Sequence, residues 1–219
     1  MKLTSQVKNL IIKEITLEWR SKYALNGILL YVVSTVFVCF LSFKSTPPLV
    51  WNALFWIIML FAAINAIAKS FMQESKGRLL YYYQIASPQA IIISKIIYNI
   101  LLMILMSVIA LFFYSLVFQN NVGDQFLYFV AVMLGAISFS LVFTMISAIA
   151  SKADNNGTLM AILSFPIIVP LLILIIKLSK NAMDGLDRSV SLDDIGMVVT
   201  VNILVMAVSL LLFPYLWRD

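Results

Sequence analysis

The chain has 219 residues, 63% of them hydrophobic and 11% charged, with a mean hydropathy of +1.02. A soluble domain carries roughly 25% charge, so this apolar excess has no soluble core to fill and a bilayer is the expected solvent. The chain has no histidine, one cysteine (Cys39) and a net charge of +5. This removes the commonest general base, metal ligand and axial haem ligand and any internal disulfide, and it makes the charge a matter of topology rather than of nucleic-acid binding.

Residues 2–22 are charged and polar throughout, and no cleavable signal peptide is expected. At 100° per residue, Leu3, Val7, Leu10, Ile11 and Ile15 share one side of a helix, with Lys2, Asn9, Lys13, Thr16 and Arg20 opposite. The pattern predicts an amphipathic helix lying in the headgroup layer. Glu14 and Glu18 interrupt the apolar side one turn apart. They are either solvated or paired with nearby lysines, or they face the 71–95 stretch and pair with Lys76 or Arg78.

Six apolar runs follow, near 24–43, 51–71, 90–118, 126–150, 159–178 and 196–217. Each is long enough to span ~30 Å of hydrocarbon at ~1.5 Å per residue. They lack the alternation of a membrane barrel, so the fold class expected is all-α: six transmembrane helices behind an interfacial helix. Lys69 and Lys95, near the ends of their runs, are expected to snorkel to the interface. Trp51, Tyr128, Tyr215 and Trp217 suit an interfacial aromatic belt. Lys44–Val50 and Gln119–Gln125 read as tight turns, Ser151–Thr158 as a short polar link, and Ser179–Ile195 as a longer link carrying Asp184, Asp187, Asp193 and Asp194. With the N-terminus inside, eleven Lys and Arg fall on the inner side and four on the outer. This bias puts both termini in the cytoplasm.

The spans hold no mid-membrane Asp or Glu, the groups a proton- or sodium-coupled transporter uses at the midplane. The sequence also lacks His-Glu-x-x-His, paired catalytic aspartates and a Gly-x-x-x-x-Gly-Lys-Ser/Thr phosphate loop. A chain with spans but no energy source of its own fits a permease half driven by a separate ATPase, or an assembly protein.

The stretch Phe71–Lys95, on the expected cytoplasmic side, mixes charge, glycine, aromatics and proline more densely than any other. Gly77 lets the chain leave a helix, and Ser87-Pro88 opens the next one. A rigid knob between them would offer an ATPase a preorganised contact. The residues expected to make it are Glu74, Lys76, Gly77, Arg78, Tyr81, Tyr82, Tyr83, Ser87 and Pro88, with Glu74–Tyr83 favoured over the Ser87-Pro88 end. The tyrosines have the breadth of interface hot spots, and also suit membrane-interface anchors.

Three places carry a family resemblance. Leu17-Glu18-Trp19-Arg20 resembles a Leu-Glu-x-Arg N-terminal helix. Phe71–Lys95 resembles a loop between spans two and three, and Ser164–Ile173 resembles a Pro-x-x-x-Pro-Leu-Leu-Ile signature in span five. Together, over nearly the full length, they resemble type-2 ABC export permeases and within these the CcmB family, the haem exporter B subunit of cytochrome c maturation. Gly77-Arg78-Leu79-Leu80 departs from the broader group's Gly-Thr-Leu-Glu, and Glu74 could supply the missing acid.

The resemblance implies a single permease domain over 1–219 in a bacterial inner membrane, with no catalytic residue, metal or cofactor of its own. It implies a cytoplasmic ATPase partner (CcmA-like) that holds the ATP, and a haem-handling membrane protein (CcmC-like) with a small CcmD-like subunit. It also implies two permease halves per complex, two copies of this chain or one copy with a related chain, and coupling to haem export or to release of haem-loaded chaperone outside. A non-transporting scaffold of the same complex, or an export permease for a lipid-linked glycan or a drug, are the alternatives. Pro166 and Pro170, four residues apart, make either a static kink or a hinge in span five.

Overall fold

The computed structural model describes residues 3–21, 23–43, 46–67, 70–71, 86–118, 122–151 and 156–218. Among the described residues seven helices carry the fold: α1 (Leu3–Ser21), α2 (Tyr23–Ser42), α3 (Pro48–Ile67), α4 (Pro88–Val117), α5 (Gln125–Ala150), α6 (Asn156–Met183) and α7 (Leu192–Arg218), with a 3-10 turn at Arg188–Ser191 before the last. Among the described residues there is no strand, and six helices are long and apolar enough to cross a membrane. Within a bilayer only intra-helical bonding satisfies a lone segment's backbone, which is why runs this apolar become helices.

The centre is α5, which packs against α6, α4, α7 and α3. In its most apolar 18-residue stretch 72% of the residues are buried, against 17% in that of α2 and 22% in that of α7. Its small residues explain the position. Ala131, Gly135, Ala136, Ser138, Ser140, Ser147 and Ala148 let neighbouring backbones approach. A Cβ at Gly135 would lie 2.5 Å from Cζ3 of Trp56. That indole is fully buried and donates from Nε1 to Ser179 Oγ at 2.9 Å, so it has little freedom to yield.

Trp51 and Tyr128 depart from the expected aromatic belt. Both are buried, 0% and 2% exposed, whereas Tyr215 is 72% exposed. They join Phe55 and Tyr114 in one ring cluster with centroids 4.8–6.3 Å apart. Hydrogen bonds anchor it: Tyr114 Oη donates to the Trp51 carbonyl at 2.8 Å, Tyr128 Oη donates to Asn52 Oδ1 at 3.2 Å, and Asn52 Nδ2 donates to Ser179 Oγ at 2.9 Å. In an all-apolar helix a tyrosine can serve either face, and here the hydroxyls of Tyr114 and Tyr128 found partners inside the protein, while the Trp51 indole N–H is buried without one among the described residues.

The end opposite α1 closes on itself. Gly123 and Asp124 donate their N–H groups to the carbonyls of Met183 and Ala182, at 3.2 and 2.8 Å. A Cβ at Gly123 would come within 3.0 Å of the Gly185 backbone, and Gly185 itself has φ +64°, which favours glycine. Asp124 caps α5 by accepting from Leu127 N–H at 3.0 Å, and Arg188 Nε and Nη2 donate to its two oxygens at 2.6 and 3.1 Å. The Arg188 hydrogen bond, followed by the capping N–H, holds the Asp124 carboxyl down at about 2. The fifth link is shorter than expected, because α6 runs to Met183 and Asp193 and Asp194 fall in the first turn of α7. There they suit the helix N-terminus. Asp194 is buried, accepting from Lys177 Nζ at 2.7 Å and from Asn181 Nδ2 at 3.2 Å.

Gly135→Ala should lower the melting temperature of the detergent-solubilised protein, at a cost of about 1–3 kcal/mol for overpacking a core. Adding Trp56→Phe should recover part of the loss. Thermal unfolding followed by circular dichroism measures both, and an unchanged Gly135→Ala melting temperature would contradict the α3–α5 contact.

Candidate functional site

The described residues on either side of the 72–85 segment meet α1. On the C-terminal side, Ser87 is the N-cap of α4, its Oγ accepting from Ala90 N–H at 3.3 Å, and Pro88 occupies the first helical position. Proline belongs there, because its missing N–H is one the helix would leave unbonded. The Ser87 N–H and Oγ both donate to Gln6 Oε1 of α1, at 3.2 and 3.0 Å. On the N-terminal side, α3 ends at Ile67 and a turn follows, with Ser70 N–H donating to the Ile67 carbonyl at 2.8 Å. Phe71 is buried and packs on Phe213 of α7, ring centroids 5.5 Å apart.

Lys95 joins the two sides. Its Nζ donates to the Ser70 carbonyl at 2.5 Å, lies 4.9 Å from the centroid of the Phe71 ring, and pairs with Glu14 Oε1 of α1 at 3.3 Å. Lys13 Nζ reaches the same carboxylate oxygen at 3.0 Å. The expected snorkelling of Lys95 does not occur: the side chain is 3% exposed. A buried ammonium is tolerable only with a counter-charge and satisfied donors, and Glu14 with the Ser70 carbonyl supplies them. Burial pushes the Glu14 carboxyl up, but the charges of Lys95 and Lys13 and their hydrogen bonds outweigh it and leave it below its ordinary value. One turn beyond Lys95, Asn99 Nδ2 donates to Ser70 Oγ at 3.1 Å and to Thr144 Oγ1 of α5 at 2.8 Å. A continuous polar path therefore runs from α1, through the N-terminal half of α4, to the central helix.

The remaining residues singled out in the sequence divide clearly. Glu74, Lys76, Gly77, Arg78, Tyr81, Tyr82 and Tyr83 lie outside the described residues, as does Lys69. The Glu14 and Glu18 partners within the described residues are other than Lys76 or Arg78. Glu18 Oε1 accepts from Leu25 N–H at 3.0 Å, satisfying a first-turn donor of α2. Trp19 is 73% exposed, and Arg20 is exposed beside it. Val7, Leu10 and Ile11 turn toward the bundle, where α1 packs mainly along α4, while Leu3 and Ile15 stay exposed. Pro166 and Pro170 sit inside the continuous α6, both on its exposed side. Sequence reasoning missed Gln6, Ser70 and Thr144. Lys95 and Asn99, four apart at the start of an apolar run, were the available signal. Among the described residues no cluster of Cys, Asp or Glu could hold a metal ion.

A family model described as CcmB protein matches residues 5–214, so the chain belongs to the CcmB family, ABC-type membrane permease subunits of haem export and cytochrome c biogenesis. No curated protein and no solved structure matches it.

A Glu14 carboxyl held below its ordinary value contributes stability above the unfolded pKa and loses it as pH falls through the folded one. The melting temperature gap between wild type and Glu14→Gln should therefore be constant from neutral pH down to about 5 and should close below about 4. Ser87→Ala, which removes the cap and one bond to Gln6, should cost about 1 kcal/mol. Unfolding followed across pH and denaturant checks both.

Proposed function

We propose that this chain is the permease half through which a separate cytoplasmic ATPase drives haem handling during cytochrome c maturation, either as haem export or as release of haem-loaded chaperone on the outer side. The observation that carries the reading is the pinned base of 72–85. Both flanks of that segment are tied to α1 and α4 by Gln6, Glu14 and Lys95, and to the centre by Asn99. Flanks tied in this way can pass force from a soluble partner into the bundle.

Within this reading the 72–85 residues Glu74, Lys76, Gly77, Arg78 and Tyr81–Tyr83 form the ATPase contact, with Ser87 and Pro88 as its foundation. The ATPase supplies ATP hydrolysis, so the chain itself is a transport subunit. The excess of Lys and Arg on the α1 side supports both termini lying in the cytoplasm of a bacterial inner membrane. Six spans make one half of an ABC machine, so two copies act together, joined by a haem-handling membrane protein and its small companion. Pro166 and Pro170 withhold the N–H groups that the carbonyls of Ile162 and Pro166 would accept. They give the exposed side of α6 the compliance of a hinge.

Deleting the gene should abolish covalent haem attachment to c-type cytochromes, and the wild-type chain should restore it only alongside a hydrolysis-competent ATPase. Unchanged haem attachment in the deletion would reject this function. Pro166→Ala should insert normally and lower haem attachment. Full maturation in that variant would reject the hinge.

A further inference from the structure

The contacts that brace the base of 72–85 do not stop there, and their continuation assigns a task to α1. Among the described residues Lys95 touches the carboxylate of Glu14, the last backbone carbonyl before Phe71, and the Phe71 ring. Sliding α1 past α4 would pull this ammonium, 3% exposed, off the Glu14 carboxylate, and breaking a buried pair is costly. Moving the 70–71 turn away from α4 would break its bond to the Ser70 carbonyl. Displacements that keep all three contacts are therefore much the cheaper ones. Gln6, bonded twice to Ser87, locks the same two helices together a second time, two turns nearer the N-terminus of α1.

The movement has one polar exit. Asn99 stands one turn beyond Lys95 on α4, is 1% exposed, and spends its amide on Ser70 Oγ and Thr144 Oγ1. Thr144 belongs to α5, which packs on four of the other spanning helices. A shift delivered at Thr144 is thus delivered to the helix the rest of the bundle packs around.

Resting on the proposed function, we infer that Glu14, Lys95 and Asn99 are positioning residues for the coupling step. Glu14 and Lys95 latch α1 and α4 into one body that the ATPase moves through 72–85, and Asn99 hands that movement to the central helix at Thr144. The N-terminal helix is then a working part of the lever as well as a membrane-surface anchor.

The test measures ATP hydrolysed per haem covalently attached, in the full complex with its ATPase, at matched amounts of this chain in the membrane. Lys95→Met keeps the length of the side chain and removes its charge and donors. It should raise the ratio roughly two- to thirtyfold, the span seen for substitutions along coupling networks. Asn99→Leu should raise it similarly. Glu14→Gln should raise it less, since Lys95 keeps the Ser70 carbonyl, and Lys95→Arg, which keeps charge and donors, should stay near wild type. A merely structural role would lower hydrolysis and haem attachment together with the amount of protein and leave the ratio alone. A wild-type ratio in Lys95→Met overturns the latch. If Lys95→Met fails to accumulate, a wild-type ratio in Asn99→Leu overturns it instead. Haem attachment that does not need this chain at all would overturn the proposed function, a result separate from either.

Discussion

A single buried ammonium organises one end of this protein. Lys95 sits near the start of a 30-residue apolar helix, almost wholly removed from solvent. Such a charge cannot be left alone: its desolvation costs several kcal/mol even after relaxation. The structure meets that cost with a carboxylate from α1, a carbonyl from the turn after α3 and an aromatic face from Phe71. Each of these partners belongs to a different part of the chain. Satisfying one charge therefore fixes where the N-terminal helix lies, where the second span ends and where the third begins.

The same rule governs the other end. Asp194, buried at the start of α7, is held by Lys177 and Asn181, and Asp124 is gripped by Arg188 while it caps α5. At the same end, one to two turns into the bundle, Asn52, Trp56, Tyr128 and Ser179 satisfy one another across α3, α5 and α6. Lipid drives helices together only weakly, so small residues and paired polar groups set the packing. Gly135 under the Trp56 indole and the Ser and Ala content of α5 are the first kind of contact. The polar ties at the two ends are the second. Both ends are tied in this way, and the spanning parts of α2 and α7 are the least buried.

Much of this was legible in the residues. The spans follow from length and apolarity, and Ser87-Pro88 announced the start of α4 because capping and N1 chemistry are local. What could not be read was direction. Trp51 and Tyr128 looked like lipid-interface residues because a helix apolar on every side carries no mark of which side meets protein. Lys95 looked like a snorkelling lysine because its burial depends on Glu14, 81 residues away in sequence. Gln6 carried no signal at all, since a glutamine on a polar helix is unremarked until Ser87 is seen opposite it. Link lengths erred for a simpler reason. Asp193 and Asp194 look like loop residues in composition, yet carboxylates are favoured in a helix's first turn.

The central claim is that α1 and the start of α4 form one rigid body at the flank of the 72–85 segment. The most direct measurement is the distance between spin labels on Thr4 and Gln89, both exposed, placed in a variant in which Cys39 is replaced by serine and read in the assembled complex with and without ATP. The account predicts one narrow distance distribution that nucleotide leaves unchanged. A broad distribution, or one that shifts when ATP binds, would contradict it.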